Sequence, residues 1–284
     1  MNELFPSDFP RRLREIADPP KKLYLEGVLP SEEHTWLTVV GSRKCTNYGK
    51  EVCEQLIEGL RGYPVVIVSG LALGIDAIAH RAALVAKLPC VAVPGSGLSR
   101  SVLYPAANRR LADEIVTNNG ALLSEFEPAF AATAWSFPQR NRIMAGLSDA
   151  VLVVEAEQKS GTLITARLAT EYNRDVLTVP GSIFSSSSAG PHMLIRLGAT
   201  PITSSQDLLA ALGFDLTANH QKLTADYSDC TPDEMRIIEL LKEPLPRDTL
   251  LEQLNLAISH ANALLSMLEL KGHIKESAGE IHLT

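Results

Sequence analysis

The chain has 284 residues, of which 45% are hydrophobic and 21% charged, a composition typical of a soluble globular protein with one large and one small domain. Its formal net charge of -7 excludes a protein that coats duplex DNA by global electrostatics, because that mode of binding needs a basic surface. The apolar runs fall far short of the roughly 18 residues of a membrane span, and the N-terminus does not have the pattern of a signal peptide, so we expect a cytoplasmic protein without a membrane span.

From residue 36 to residue 213, short apolar runs alternate with amphipathic segments, which is the pattern of βα units in a mostly parallel sheet. Strands are predicted at Leu37–Val40, Val65–Val68, Cys90–Val93, Ala121–Ser124, Val151–Val154, Val176–Val179 and Thr200–Thr203. Helices are predicted at Gly49–Leu60, Ile75–Ala86, Ala107–Asn118, Arg140–Leu147, Leu163–Tyr172, Pro191–Leu197 and Gln206–Leu212. The predicted fold class is α/β, with a Rossmann-like, mostly parallel sheet covered by helices on both faces. Residues 1–35 are interpreted as an N-terminal extension that packs on this domain.

The last part of the chain has a different organisation. Residues 214–228 lose the apolar periodicity and are interpreted as a linker. Thr231, Pro232 and Glu234 then form a helix start, with Thr at the N-cap, Pro at the first helical position and Glu at the third. Three helical segments (Met235–Leu241, Asp248–Leu254 and Ser259–Lys271) and a short hairpin follow, so residues 229–284 are predicted to form a small winged-helix-like domain.

Small residues follow every predicted strand of the main domain. They include Gly41-Ser42 after the first strand, Ser69-Gly70 after the second and Gly161 after the fifth. In a parallel sheet these strand ends lie along one edge, where glycine lets a ligand approach the backbone and helix N-termini attract anions. Tight βα turns alone would also explain any single glycine, but the repetition favours a phosphate-binding crevice.

Side chains near these turns supply the chemistry that a nucleic acid needs. Arg43 directly follows the first strand, and Arg140 and Arg142 flank Asn141. Phe137 precedes this basic cluster and is a candidate for stacking on a base, although a phenylalanine at such a position is also a common core residue. No P-loop or GxGxxG dinucleotide fingerprint is present, so ATP and NAD chemistry are not supported and no cofactor is expected.

No metal site is expected either. The four cysteines, Cys45, Cys53, Cys90 and Cys230, form no CxxC pair and no Cys/His cluster with zinc spacing, so they are interpreted as reduced thiols. Asp76 and His80 lie four residues apart on one helix face, but no third ligand accompanies them. The preferred interpretation is a carboxylate near a helix N-terminus with a histidine beneath the site.

The ordered set of motifs resembles the DprA (Smf) family of DNA-processing proteins. The residues that carry the resemblance are Gly41-Ser42-Arg43, Ser69-Gly70-Leu71-Ala72, Gly74-Ile75-Asp76, Ala79-His80, Tyr104-Pro105, Ser124-Glu125-Phe126, Phe137-Pro138, Arg140-Asn141-Arg142-Ile143, Gly146-Leu147-Ser148, Val153-Val154-Glu155-Ala156, Ser160-Gly161-Thr162-Leu163, Thr165-Ala166 and Val179-Pro180-Gly181. The resemblance implies a homodimer that binds incoming single-stranded DNA during natural transformation, helps to load RecA recombinase and catalyses no reaction. It also implies that Ser42, Arg43, Ser69 and Gly70 meet phosphate, and that Arg140, Asn141 and Arg142 complete a basic wall.

Leu73, Ala106 and Gln139 stand where many relatives have a basic residue, and Arg100 is a candidate to replace the missing charge. The winged-helix segment has ten acidic residues against five basic ones, so we expect it to contact a protein rather than duplex DNA.

Two other functions remain open from the residues. A nucleoside-monophosphate phosphoribohydrolase of the Lonely Guy type is similar around Gly161-Thr162, but Thr165 stands where its glutamate would be. A winged-helix transcription regulator would need a basic recognition helix, and Ser259–Lys271 offers only Lys271.

Overall fold

A computed structural model of the chain describes residues 1–215, 229–241, 243–254, 256–277 and 279–283. The chain divides into two compact units, with the boundary after residue 216. Most of the predicted linker lies outside the described residues, but Phe214 belongs to the first unit, where its ring packs edge-on against Tyr63 with 5.2 Å between centroids. Within the described residues, no helix is both long and apolar enough to cross a membrane.

The described part of the first unit is built on one nine-stranded sheet. Its strands are β1 (Asn2–Leu4), β2 (Leu23–Gly27), β3 (Thr35–Val40), β4 (Val65–Ser69), β5 (Cys90–Ala92), β6 (Ala121–Ser124), β7 (Ala150–Val153), β8 (Asp175–Thr178) and β9 (Thr200–Pro201). Their spatial order is β1-β2-β6-β5-β4-β3-β7-β8-β9. The seven strands from β3 onwards are mutually parallel, whereas β2 runs antiparallel to both β1 and β6. The predicted fold class is confirmed.

The N-terminal extension contributes more than packing, because β1 and β2 extend the sheet beyond β6. Neither strand was predicted from the sequence, in which the pattern of βα units begins only at residue 36. Phe9, Leu13 and Ile16 from the same segment are buried in the core on one face of the sheet.

Helices cover both faces of this sheet. They are α1 (Arg11–Arg14), α2 (Asn47–Glu58), α3 (Ile75–Val85), α4 (Arg109–Thr117), α5 (Ser136–Leu147), α6 (Thr162–Glu171), α7 (Ala189–Arg196) and α8 (Ser205–Ala211). Strand side chains alternate between two cores: Val65 and Ile67 of β4 lie in the core beneath α2 and α3, while Val66 and Val68 lie in the core beneath α5 and α6. Burial on both faces explains why these strands have continuous apolar sequences.

Helix α5 begins earlier than the sequence predicted. Its first residue is Ser136 rather than Arg140, and Pro138 lies in its first turn. Proline is tolerated there because the N–H groups of a first turn have no partner within the helix. This earlier start places Phe137 on the helix and decides where each residue of the basic cluster points.

The second unit contains three helices and a small sheet within its described residues. These elements are α9 (Pro232–Leu240), β10 (Leu245–Pro246), α10 (Arg247–Leu254), α11 (Ile258–Leu270), β11 (Ile274–Ser277) and β12 (Glu280–Leu283). The predicted helix start is confirmed, because Thr231 and Glu234 exchange side-chain and backbone hydrogen bonds as a capping box. The predicted hairpin is present as β11 and β12, and β10 adds a third strand.

Candidate nucleic-acid interface

A crevice opens at the carboxyl edge of the sheet, where the strand order reverses between β3 and β7. Strands β4, β5 and β6 are added in chain order on one side of β3. The chain then crosses back, and β7 pairs with the other side of β3. Loops that leave β3 and β7 therefore diverge and leave a gap, which is the usual ligand position in open α/β sheets. The gap has a volume of about 370 Å³ and is lined by Val40, Gly41, Ser42, Arg43, Lys44, Ala72, Asp76, Phe137, Pro138, Arg140, Asn141, Met144, Glu157, Ser160, Gly161, Thr162, Ile164 and Thr165.

Arg43 and Phe137 form one wall of this crevice. Arg43 is exposed, and its guanidinium carbon lies 5.0 Å from the centroid of the half-buried Phe137 ring. Tyr104, which is 47% exposed, also contacts the Phe137 ring, with 5.7 Å between ring centroids. A cation and two aromatic rings close together offer a base both a stacking surface and a nearby positive charge.

The floor of the crevice is made by a buried guanidinium. Arg140 is 4% exposed, and its Nη1 donates to the carbonyl of Val93 at 2.5 Å. Burial lowers the pKa of Arg140 to about 10, opposed by the negative charge of Asp76 and reinforced by nearby Arg43, so it remains cationic at neutral pH. The Nε of Arg140 is buried and has no hydrogen-bond partner within the described residues.

Gly70 is required by Arg140 rather than by an incoming ligand. A Cβ at Gly70 would lie 1.6 Å from Nη1 of Arg140, so only glycine leaves room for the guanidinium. Gly95 has the same relation to Phe137, whose ring would approach an added Cβ to 2.6 Å. Two of the glycines that suggested close ligand approach therefore accommodate side chains that line the crevice.

The Asp76 carboxylate lies at the end of β4, where the sequence suggested a bound phosphate. Its Oδ2 accepts the backbone N–H of Gly70 at 3.1 Å, and it lies in the first turn of α3. Burial raises the pKa of Asp76, while Arg140 and the N–H groups of Ala72 and Gly70 oppose that shift. Ser69 is fully buried and donates to the carbonyl of Val39. Neither Ser69 nor Gly70 lines the crevice and the Gly70 amide donates to Asp76, so these observations lend no support to their contact with phosphate, which stays a prediction.

Arg142 also lies outside the crevice lining. Residues 140 and 142 are two positions apart on α5, so the helix turns their side chains to different faces. Arg142 pairs with Glu125 and donates to the carbonyl of Asp18 at 2.6 Å. The expected basic wall of Arg140, Asn141 and Arg142 is therefore reduced to Arg140 and Asn141.

The remaining predicted residues meet on the opposite wall. Asn141 is 8% exposed and lies 3.4 Å from the carbonyl of Gly161, which directly precedes α6. Thr162, the first residue of α6, donates to the carbonyl of Gly41 at 3.1 Å and ties the two loops of the strand reversal together. The N-terminus of α6 thus borders the crevice, where the positive end of its dipole favours an anion, although the N–H groups of Thr162, Leu163 and Ile164 already donate to Ser160 and Gly161.

The sequence analysis missed Lys44 and Thr162 as lining residues. Both could have been inferred from the sequence, since Lys44 directly follows Arg43 and Thr162 directly follows Gly161. Arg100, by contrast, does not supply charge to the crevice, since its guanidinium pairs with Glu26 at 2.7 Å and Asp113 at 2.7 Å. His80 is fully buried, and burial lowers its pKa to about 3, which keeps it neutral. Within the described residues neither of its ring nitrogens has a hydrogen-bond partner.

One group of potential metal ligands was not predicted from the sequence, because its members are far apart along the chain. Candidate ligand atoms of Asp229, Cys230 and His273 lie within 4.8 Å of one another. His273 Nε2 lies 3.0 Å from an oxygen of Asp229, and the Lys271 ammonium is 3.9 Å from the same carboxylate. Internal ion pairs therefore account for the grouping without a metal.

Comparison with known proteins places the chain in one family. The family model described as DNA recombination-mediator protein A matches residues 3–213, and a DprA winged helix domain model matches residues 221–280. Protein Smf of Escherichia coli is 38% identical across 98% of this chain and 76% of its own length. DNA processing protein DprA of Streptococcus pneumoniae is 46% identical across 72% of each chain.

Solved structures give the same assignment. The crystal structure of DNA processing protein A from Streptococcus pneumoniae superposes with a TM-score of 0.69 and 43% identity over 75% of both chains. DNA processing protein A from Helicobacter pylori, whose structure describes a single-stranded DNA binding mode, superposes with a TM-score of 0.65 and 33% identity over 74% of this chain and 94% of its own. The chain therefore belongs to the DNA recombination-mediator protein A (DprA) family and is a DprA-type DNA-processing protein.

Proposed function

We propose that this protein binds single-stranded DNA in the crevice between β3 and β7, with Arg43 as the principal phosphate contact. The observation that carries the proposal is the juxtaposition of exposed Arg43 with the Phe137 ring at the point where the strand order reverses. Lys44, Arg140 and the N-terminus of α6 add positive potential around the same space. Gly41, Ser42, Asn141 and Gly161 shape its walls.

A single strand fits this crevice better than a duplex. Its volume of about 370 Å³ suits one nucleotide-sized group, and its stacking residue needs a base whose face is free. The chain as a whole carries a net charge of -7, so long duplex segments lack a broad basic surface to lie on. The related protein from Helicobacter pylori is described in a single-stranded DNA binding mode, which supports the same ligand here.

Binding without turnover is the second part of the proposal. Thr165 is buried where the phosphoribohydrolase motif has its glutamate. Asp76, the buried carboxylate of the crevice, is engaged by the Gly70 amide and lies against Arg140, so it is poorly suited to act as an acid or base. The transcription-regulator alternative gains no support, because Lys271 of α11 is paired with Glu234 at 2.9 Å.

The cellular role follows from the family. The matching model describes a recombination mediator, which supports a protein that protects incoming DNA during natural transformation and passes the strand to RecA recombinase. Its four cysteines are free thiols, which suits the reducing cytoplasm in which we place the protein.

A homodimer completes the proposal, with an apolar groove between α6 and α7 as the contact surface. Leu163, Met193 and Leu194 line this groove, and Leu197 at its border is 75% exposed. Exposed apolar side chains around a groove are a common feature of subunit interfaces. A two-fold axis would pair each groove with its copy.

Release of free base from nucleoside monophosphates tests the absence of catalysis. We expect no adenine when the protein is incubated with AMP and the mixture is analysed by chromatography, because Asp76 is engaged by the Gly70 amide and Thr165 stands where the phosphoribohydrolase motif has its glutamate. Enzymatic release of adenine would restore the phosphoribohydrolase alternative.

Leu197→Asp tests the dimer. A charge buried in an apolar interface loses its solvation on association, so this variant should sediment as a monomer in analytical ultracentrifugation while the parent sediments as a dimer. Val85→Asp is the matched control, since Val85 is 66% exposed and lies outside the groove. A parent that sediments as a monomer would contradict this part of the proposal.

Arg43→Ala tests the phosphate contact. Removing the guanidinium should weaken binding to oligo-dT by about tenfold, as expected for a charge-assisted hydrogen bond. It should also reduce the slope of log affinity against log salt by about 0.7, the value for one phosphate of a single strand. Both quantities are measured by fluorescence anisotropy, with a duplex of the same length as a second ligand. Arg110→Ala removes an equally mobile charge far from the crevice and should leave affinity and slope unchanged.

Phe137→Ala tests stacking separately from charge. Loss of the ring should weaken oligo-dT binding by about 1 to 3 kcal/mol, the usual range for a stacked base. The salt slope should stay at the parental value, because no phosphate contact is removed. Phe137→Tyr keeps the aromatic face and should bind like the parent. An unchanged affinity of the alanine variant would show that the ring serves only packing against Gly95.

A further inference from the structure

A second cavity, lined by hydroxyl groups, lies beside the crevice at the ends of β7 and β8. It has a volume of about 450 Å³, within the range of small-molecule sites. Its walls are formed by Thr46, Tyr48, Glu155, Gly181, Ser182, Ser185, Ser187 and Ser188. None of these residues belongs to the crevice that is proposed to bind phosphate.

The floor of this cavity is a fixed carboxylate. Glu155 is 3% exposed and accepts three hydrogen bonds, from the Thr46 amide at 2.9 Å, the Thr46 hydroxyl at 2.5 Å and the Ser187 hydroxyl at 3.1 Å. Gly49 leaves space for it, because a Cβ there would lie 2.4 Å from Oε2. Oε1 receives both hydroxyls and Oε2 receives only the amide, so Oε2 keeps acceptor capacity.

The lining selects for an uncharged ligand with N–H groups. It contains no lysine or arginine, and the Glu155 carboxylate repels phosphate. Serine and tyrosine hydroxyls both donate and accept, so they match the mixed polar edge of a purine or pyrimidine. The chemistry therefore suits a nucleobase and excludes the phosphate backbone.

One loop separates the two cavities. Arg43 and Lys44 face the crevice, whereas Thr46 and Tyr48, only a few residues later, line the hydroxyl cavity. Tyr48 is 48% exposed, and its hydroxyl is anchored to the Pro180 carbonyl at 2.7 Å. Phe184, two residues after Ser182, is 93% exposed. The short separation along the chain between Arg43 and Tyr48 puts the hydroxyl cavity within reach of a strand whose phosphate lies at Arg43.

We propose that the hydroxyl-lined cavity is a second subsite, which receives a nucleobase of the same single strand whose phosphate lies at Arg43. The inference rests on the proposed function, since the strand must first occupy the crevice. It adds a second base-binding element, in which Glu155 and the surrounding hydroxyls would hydrogen-bond to a base edge.

Filling the cavity mouth tests the subsite. Ser182 is exposed, so Ser182→Trp should fold normally while its indole occupies the cavity. We expect affinity for oligo-dT to fall about five- to tenfold, with the salt slope unchanged because no phosphate contact is lost. Ser186→Trp is the matched control: Ser186 is exposed in the same loop but does not line the cavity, and this variant should bind like the parent. Circular dichroism checks that both variants are folded.

Photocrosslinking gives an independent measurement. Oligo-dT substituted with 5-iodouracil should crosslink to the peptide that contains Tyr48, and Tyr48→Leu should abolish that product while leaving any crosslink to Phe137. Equal oligo-dT affinity of Ser182→Trp and Ser186→Trp, or a crosslink confined to Phe137, would overturn the subsite and leave the proposed function intact. A parent protein that binds no single-stranded DNA would overturn both.

Discussion

The crevice depends on a guanidinium buried at the carboxyl edge of a parallel sheet. Taking a cation out of water costs several kcal/mol unless hydrogen bonds and an opposite charge replace the solvent. The Nη1 group of Arg140 donates to the Val93 carbonyl, and the negative charge of Asp76 stabilises the cation. The guanidinium also occupies the space that a side chain at residue 70 would need. One side chain from α5 thus interacts with three parts of the fold: the end of β5, the end of β4 and the first turn of α3.

Because of this arrangement, the glycine-rich turn after β4, where the sequence suggested phosphate binding, contacts side chains of the protein itself. In many α/β proteins such turns leave backbone N–H groups free for phosphate. Here Asp76 takes the Gly70 amide, so the turn after β4 already holds an anion that belongs to the protein. The proposed anion site accordingly lies at Arg43, Lys44 and the N-terminus of α6, on the β3 and β7 side of the edge. The hydroxyl-lined cavity continues that side towards β8 with a different chemistry, because it lacks cations. Backbone and base would accordingly be recognised by neighbouring but distinct surfaces.

Two basic residues of the winged-helix unit are engaged by other side chains of the same unit. Lys271 pairs with Glu234, and Arg247 pairs with Glu276 at 2.6 Å and donates to Asn262 at 2.9 Å. Side chains engaged in this way are less available to neutralise phosphate. The ion pairs agree with the acidic composition of the segment, and a protein contact for this unit stays a prediction.

The sequence by itself determined the fold class, the positions of β3 to β8 and the capping box of α9, because apolar periodicity and helix-start residues are local signals. Arg43, Phe137, Arg140 and Gly161, which the sequence singled out, all line the crevice, and their contact with DNA stays a prediction. Arg43 and Gly161 follow parallel strands, whose ends must meet at one edge, whereas Phe137 and Arg140 lie on α5. Which neighbours face the crevice was decided only by tertiary structure. Arg140 and Arg142 look equivalent in sequence, but the helix phase set by the start at Ser136 sends one to the crevice floor and the other to Glu125. The pairing of Asp76 with the Gly70 amide and the assembly of Glu155 with serines some 30 residues later were equally hidden, because such contacts depend on the packing of distant segments rather than on any local pattern.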